Sequence, residues 1–264
     1  MANLAAERFF ADRASPLCSL DVAKSFAQLS TKEKKYAHYI GQASWAGARI
    51  IQGQWTPFAL RLYDLLILVF SEKGKLGDLA ALKQKSGVTA DEWEDILQYT
   101  SQVLSNLVNY KSFGFSKFVP RAPEAAFAAV VQNSVNAANA LPLWNELKGH
   151  IYQTTPDDAN FIGKRSLGHV SNYYLGEAPT DEEVTAVQAA AEKIGIDVLS
   201  TRVRKNSATD FTLLVASANA QSSSSHEFTV GDKKAKAYCR VWRLRRRTIK
   251  SCDCFERGKE IRRK

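Results

Sequence analysis

The sequence predicts an α+β fold, in which a mainly helical N-terminal lobe precedes a region of short strands. The helical pattern is clearest over residues 89–110, where apolar side chains recur every three or four positions on one helix face. Beyond Pro156 the pattern changes, because residues 169–175, 196–204 and 210–217 are rich in β-branched and aromatic side chains. Helices that precede the strands, rather than alternate with them, are typical of the α+β class.

Helix starts are marked by capping boxes, in which a Ser or Thr is followed three residues later by Glu. Three pairs have this spacing: Ser30 with Glu33, Thr89 with Glu92, and Thr180 with Glu183. Residues 60–70 are apolar on nearly every side, which predicts a helix buried at the centre of the lobe. Pro57 is expected to occupy the first position of that helix.

The remaining helical segments are shorter or richer in alanine. Residues 20–29 predict a short helix with Val22 and Phe26 facing inward, and residues 123–140 and 143–152 predict two more. Between the second and third strand candidates, residues 206–209 have the composition of a hairpin turn.

The net charge of +9 on this chain of 264 residues is confined to one end. Residues 232–264 contain 14 Lys and Arg against four Asp and Glu, whereas residues 1–231 contain 22 against 23. The body is therefore nearly neutral, and the high isoelectric point of the whole chain is no evidence for a nucleic-acid-binding body.

The ends of the chain differ from its body, which predicts three regions. Residues 1–17 are expected to be a flexible arm, residues 18–220 the lobe, and residues 221–264 a serine linker and basic tail that is disordered. The N-terminus lacks the pattern of a secretory signal, and no apolar run is long enough to cross a membrane. Four cysteines in a chain of this length indicate a reducing, cytoplasmic setting.

The basic tail contains only weak motifs. An arginine cluster at Arg243 and residues 245–247, next to Trp242, is compatible with nucleic-acid binding or a nuclear import signal. A frameshifted or mis-spliced exon would produce the same abrupt change of composition, and we favour that explanation. The three cysteines of this region, Cys239, Cys252 and Cys254, fall short of the four ligands of a closed zinc site.

The most distinctive stretch is residues 106–120, N-L-V-N-Y-K-S-F-G-F-S-K-F-V-P. Gly114 permits a turn after the helix, and lysines alternate with phenylalanines around it. Aromatic and cationic side chains on a loop suit an extended ligand with polar ends, such as a peptide. The alternative is that the phenylalanines anchor the loop on the core.

This stretch resembles the signature Asn-Tyr-Lys-Ser-Phe-Gly-Asp-x-Lys-Phe-x-Pro of the dipeptidyl peptidase III family. Residues 109–114 match it in order, and Lys117, Phe118 and Pro120 match after it. Phe115 stands where the family usually has Asp. The family comprises zinc aminopeptidases that release dipeptides from peptide N-termini. The resemblance covers roughly residues 16–232, with a few further matches up to Tyr238, and implies that the strands belong to an incomplete small β-barrel.

The resemblance also implies a zinc site, which the family carries on His-Glu-x-x-x-His and on a further glutamate. Two histidines on one helix face with a glutamate between them are what zinc hydrolysis requires. The sequence has His226-Glu227, but Val230 and Gly231 occupy the positions where the second histidine would fall. We therefore expect zinc in the full-length family and none on this chain.

By resemblance, the chain is a truncated member that carries the peptide-cleft lobe without the zinc site and is inactive. Ser112, Phe113 and Gly114 would face the cleft, Phe113 would line a pocket for a substrate side chain, and Tyr110 and Lys111 would shape the loop. Oligopeptides are the expected partners, with neither nucleic acid nor membrane involved. The alternative is a non-catalytic protein that binds peptides, or one whose basic tail binds nucleic acid.

Overall fold

A computed structural model describes residues 7–15, 21–217, 224–230 and 233–243 and has the predicted α+β class. The chain divides into two compact units. The first unit contains Met1–Leu17 and Trp55–Val170, and the second contains Cys18–Gln54 and Ser171–Lys264. None of the helices in the described ranges combines the length and the apolar composition that crossing a bilayer requires.

The helices and strands occur in the following order along the chain. The helices are α1 (Ala23–Gln28), α2 (Thr31–Trp55), α3 (Ala59–Phe70), α4 (Leu79–Ser86), α5 (Ala90–Asn106), α6 (Glu124–Asn133), α7 (Ala137–Tyr152) and α8 (Asp181–Lys193). The strands are β1 (Ser71–Glu72), β2 (Lys75–Leu76), β3 (Tyr174–Gly176), β4 (Thr201–Lys205), β5 (Asp210–Ser217), β6 (Ser224–Val230) and β7 (Lys233–Arg243). Short 3₁₀ turns span Asp157–Asn160, Arg165–Leu167 and Val198–Ser200.

Helix α3 lies at the centre of the first unit, as its composition predicts. Leu62, Leu65 and Leu66 are completely buried in a cluster that also includes side chains of α5, α6 and α7. The helix begins at Ala59, two residues after the expected start, and the hydroxyl of Thr56 accepts a hydrogen bond from the Ala59 amide at 3.0 Å.

Helix α5 begins at the predicted capping box and ends earlier than predicted. The Thr89 hydroxyl accepts from the Glu92 amide, and the Glu92 carboxylate accepts from the Thr89 amide. Trp93 and Ile96 then face the core. The helix stops at Asn106, because the next residue, Leu107, adopts a left-handed conformation with φ of 66°.

The alanine-rich segment after residue 123 forms two helices, where the sequence predicts one helix over 123–140. Helix α6 ends before Ser134, whose hydroxyl donates back to the Val131 carbonyl at 2.8 Å. Asn136 donates its side-chain amide to the carbonyls of Leu68 and Ser71, at 2.9 and 2.8 Å. These contacts with the end of α3 fix the break, and they could not be inferred from local sequence.

The described part of the N-terminal segment belongs to the first unit, in contrast to the flexible arm predicted over residues 1–17. Phe9 is buried, and the segment pairs with Val119 through two backbone hydrogen bonds of 2.7 and 2.8 Å. The side chain of Gln102 binds both backbone groups of Asp12. The guanidinium of Arg13 donates twice to Asp95, at 3.0 Å each. Residues 7–15 are thus held by backbone pairing, polar contacts and apolar burial.

In the second unit, α2 is fixed near its C-terminal end. The Gly53 carbonyl accepts hydrogen bonds from the Asn172 side chain and from the Arg202 guanidinium. Burial lowers the pKa of Arg202 to about 10. The short helix α1 differs from its prediction, because Val22 and Phe26 are exposed and do not face inward.

The second unit also contains a five-stranded sheet in the order β3-β4-β5-β7-β6. Strands β4 and β5 form the predicted antiparallel hairpin, with Asp210 accepting from the Asn206 amide at 2.8 Å. Strand β3 contains only Tyr174–Gly176, which is shorter than the predicted strand over 169–175. The described strands form an open sheet, so the barrel implied by resemblance is not confirmed.

Strands β6 and β7 lie within the region after residue 220 that the sequence predicts to be disordered, so the prediction is wrong for these residues. Residues 224–230 and 233–243 form an antiparallel pair, and β7 also pairs in parallel with β5. Apolar and polar residues alternate along Ala235, Lys236, Ala237, which is a two-residue period favourable to a strand. Because the surrounding residues are highly charged, the sequence prediction missed this two-residue period. The expected disorder of residues 244–264 lies outside the described residues.

Candidate functional site

The signature stretch folds as a hairpin in the first unit. The Lys111 amide donates to the Ser116 carbonyl at 2.8 Å, and the Phe118 amide donates to the Asn109 carbonyl at 3.0 Å. We call residues 109–118 the hairpin and residues 112–115 its tip. Every residue of the tip is exposed, whereas the base of the hairpin is buried. The predicted turn at Ser112, Phe113 and Gly114 is therefore confirmed.

The base of the hairpin is anchored in the unit by Tyr110. This side chain is buried with Ala59 and Val108, and its hydroxyl lies 3.5 Å from the Ala159 carbonyl. Burial raises the pKa of the Tyr110 hydroxyl above its ordinary value. Tyr110 therefore shapes the loop from within and is not itself a surface contact.

Lys117 is a second buried residue of the base and is part of the same bridge as Tyr110. Its ammonium donates to the Gln153 carbonyl at 2.7 Å, and its amide donates to the Asn160 carbonyl at 2.7 Å. Burial lowers the pKa of Lys117 to about 8. The charged form is therefore poorly stabilised there, since a neutral carbonyl replaces only part of the lost hydration.

Two polar contacts fix the strand that enters the tip. The Lys111 ammonium donates to the Asp12 carboxylate at 3.1 Å, which links the hairpin to the N-terminal segment. The Ser112 hydroxyl donates to the side-chain oxygen of Asn106 at 2.9 Å, which links the tip to the last residue of α5. These contacts of Lys111 and Ser112 therefore fix the orientation of the tip.

The tip presents aromatic rings to solvent. Phe113 is 93% exposed, so it does not anchor the loop on the core. Gly114 has a φ of 79°, which provides the sharp turn after Phe113. Phe115 is 51% exposed, and its ring centroid lies 6.3 Å from that of Trp55.

The structure thus places the five predicted site residues together in one hairpin, with different roles. Ser112, Phe113 and Gly114 form the exposed tip, Lys111 is at its edge, and Tyr110 lies in the core below it. Sequence reasoning did not identify Asp12 or Trp55 as neighbours of the hairpin. Their contacts join segments far apart in the chain, and no local period indicates such contacts.

The donors needed for a zinc site do not come together in the described ranges. His38 packs against Tyr39, His150 is stacked on Phe58 with ring centroids 4.8 Å apart, and His169 packs against Phe161. No group of three His, Cys, Asp or Glu side chains with metal-binding geometry occurs among the described residues. This donor set does not fit a catalytic zinc ion, which needs three protein ligands.

The second unit has a separate apolar cavity of about 220 Å³ between α8 and the sheet. Val184 and Val187 line it from α8, and Val203 lines it from β4. None of the predicted site residues contributes to it. Of the basic tail, residues 245–247 and the two cysteines Cys252 and Cys254 lie outside the described residues.

The signature of the hairpin and the match to a family profile together place the chain in a family of peptidases. Residues 143–243 match the profile described as peptidase family M49. The chain belongs to this family, and the match extends to residue 243, five residues beyond Tyr238, the last position at which the resemblance predicted a match.

Curated relatives support the same assignment. The chain is 32% identical over 192 residues to dipeptidyl peptidase 3 of Nematostella vectensis, which covers 70% of this chain and 26% of that protein. The protein of the same name in Dictyostelium discoideum is 30% identical over 214 residues, covering 81% and 30%. The one in Mus musculus is 31% identical over 196 residues, covering 71% and 25%. The chain therefore spans less than a third of the length of these relatives, and the match lies in their N-terminal part.

Proposed function

We propose that this chain provides the peptide-contacting lobe of an M49-type dipeptidyl peptidase, and that the hairpin tip is the contact. In this proposal Ser112, Phe113 and Gly114 touch the bound peptide, and Phe113 contacts one of its side chains. Lys111 and Tyr110 hold the tip in place. The observation that carries the proposal is the exposure of Phe113, 93%, at the centre of the family signature.

The hairpin has the physical properties of a pre-organised contact. An exposed phenyl ring loses hydration when a ligand covers it, and it has only two side-chain torsions to order. The backbone below it is fixed by the hydrogen bonds of the hairpin, by Ser112 on Asn106 and by Lys111 on Asp12. A ligand therefore pays little conformational entropy for binding to this loop.

We infer that the chain by itself binds oligopeptides but does not hydrolyse them. The relatives are named as dipeptidyl peptidases, and hydrolysis in a metallopeptidase needs a metal-bound water. Among the described residues, no three His, Cys, Asp or Glu side chains come together to hold such a metal. We also propose a cytoplasmic location, because four cysteines in 264 residues do not resemble a disulfide framework.

An NMR titration tests the proposal directly. We expect the tetrapeptide Ala-Phe-Phe-Ala, added to the 264-residue chain in the presence of EDTA, to shift the amide resonances of residues 111–116. The amide of Leu76 serves as the internal control, since this residue is also an exposed apolar side chain, in the β1–β2 hairpin of the same unit. Shifts confined to other parts of the first unit, or none at all, would contradict the proposal.

A further inference from the structure

Phe115 has an unusual backbone conformation for its residue type. Its φ is 54°, and it directly follows Gly114, whose φ is 79°. The left-handed region is open to glycine and is tolerated by Asn and Asp, but a bulky aromatic residue is rare there. A phenylalanine is therefore retained at a site whose backbone favours a smaller polar residue.

The surrounding backbone imposes this conformation on Phe115. Its carbonyl accepts a hydrogen bond from the Ile162 amide at 3.1 Å, and the next residue, Ser116, accepts from the Lys111 amide at 2.8 Å. The carbonyls of Phe115 and Ser116 are thus both hydrogen-bonded, so Phe115 cannot relax to an extended conformation without breaking one of these bonds. Strain held in this way points to a role for the side chain.

The ring of Phe115 forms part of an aromatic surface. It lies 6.3 Å from the Trp55 ring at an interplanar angle of 48°, and 51% of the residue remains exposed. One side of Phe115 is therefore supported by Trp55 while the rest is available to a ligand. Phe113 is only two residues away and is fully at the surface.

Charge is largely absent from this surface. No residue of the tip, 112–115, carries a charge. The two lysines of the hairpin are committed elsewhere, because Lys111 binds the Asp12 carboxylate and Lys117 binds the Gln153 carbonyl. An Asp at position 115 would instead add a carboxylate to the tip.

We propose that Phe115 is a specificity-determining residue, which with Trp55 accepts an apolar or aromatic side chain of the peptide and disfavours a basic one. This inference rests on the proposed function, since it concerns the peptide that the tip contacts. The supported ring offers apolar area to an apolar side chain. To a lysine or arginine side chain it offers only the weak cation–π attraction of an exposed ring and no counter-charge, so the hydration lost on approach is less well replaced.

The test compares two peptides by calorimetry on the 264-residue chain, Ala-Phe-Phe-Ala and Ala-Lys-Lys-Ala. We expect the wild-type chain to bind the first about tenfold more tightly. Phe115→Asp should remove this preference by weakening the first peptide and strengthening the second. Phe115→Leu should keep the preference, because it retains an apolar side chain, and Phe115→Asn should weaken the first peptide without strengthening the second.

Phe113→Ala distinguishes the failure of this inference from the failure of the proposed function. If Phe113→Ala weakens both peptides while Phe115→Asp leaves their affinity ratio unchanged, the role of Phe115 is wrong and the peptide contact stands. If neither peptide binds, both proposals are wrong. If Phe113→Ala changes neither affinity, the proposed contact at Phe113 is wrong, and the affinity ratio in Phe115→Asp still decides the role of Phe115. Circular dichroism checks that each variant is folded, and Phe115→Leu still tests the preference if the polar variants are not.

Discussion

Phe113 and Phe118 lie five residues apart in one hairpin, but only Phe118 belongs to the core. Phe118 is 1% exposed and packs edge-on against Tyr99 with ring centroids 5.8 Å apart, whereas Phe113 is 93% exposed. We expect Phe118→Ala to lower the free energy of unfolding by roughly 3 to 5 kcal/mol. Phe113→Ala should lower it by less than about 0.5 kcal/mol, because it removes a solvated ring. Urea unfolding measures both, and a large loss for Phe113→Ala would return the tip to the core.

Lys117 makes stability depend on pH in a defined direction. Its pKa is lowered to about 8 in the folded chain from an ordinary value of 10.5, so the unfolded chain binds more protons between these values. Stability therefore rises as the pH increases through this window. We expect the free energy of unfolding to rise by about 1.5 kcal/mol between pH 8 and 9.5. Chemical denaturation at a series of pH values measures the slope.

Two variants assign that slope to Lys117. Lys117→Met should abolish the rise, whereas Lys85→Met, at an exposed position in the last turn of α4, should leave it unchanged. The window stops at pH 9.5 because burial raises the pKa of Tyr99, Tyr110 and Tyr152. Those residues reduce stability once the tyrosines of the unfolded chain ionise near pH 10. An equal slope in Lys117→Met would show that another group is responsible.

Among the helices and strands, features that depend on residues close in the sequence were predictable, whereas contacts between distant segments were not. The boxes at Ser30, Thr89 and Thr180 all begin helices as their spacing predicts. A box is a local structure, because the partners lie three residues apart. The break at Ser134 and the pairing of β7 with β5 depend instead on contacts between distant segments. The hairpin was recognised by its signature, but its support from Asp12 was not.

The N-terminal segment provides a prediction at the same scale. Phe9 is buried against Phe161, and its carbonyl accepts from the Val119 amide at 2.7 Å. We expect Phe9→Ala to accelerate hydrogen exchange at the Val119 amide and to cost roughly 3 kcal/mol of stability. The amide of Lys111, bonded to Ser116 within the hairpin, is the control and should be much less affected. Unchanged exchange at Val119 would support a flexible arm after all.

The C-terminal strands give a second test of an element. Strand β7 lies between β5 and β6 in the sheet, where residues 233–239 pair with β6 and residues 236–243 pair with β5, so amides along the whole of β7 have a neighbouring strand to bond. We expect slow exchange at these amides and faster exchange along β6, which is an edge of the sheet. Rapid exchange throughout both strands would restore the disorder predicted from the sequence.

For the whole molecule, the proposal is that the chain binds peptides and does not hydrolyse them. We expect the 264-residue chain to release no chromogenic amine from a dipeptidyl substrate, even with added zinc. The physical reason is that the donors of the described residues do not form a site for a catalytic metal. Activity that a chelator abolishes, and that zinc restores, would show that the chain assembles a metal site from other residues.

The affinity of the chain for Ala-Phe-Phe-Ala, measured by calorimetry in EDTA, decides whether the hairpin tip contacts peptides. We expect measurable binding to the wild-type chain and an affinity reduced about tenfold or more by Phe113→Ala, which corresponds to roughly 1.4 kcal/mol. Leu76→Ala removes a side chain that is also exposed in a hairpin and should leave the affinity unchanged. Equal affinities for the wild-type chain and Phe113→Ala would show that the hairpin tip is not the peptide contact.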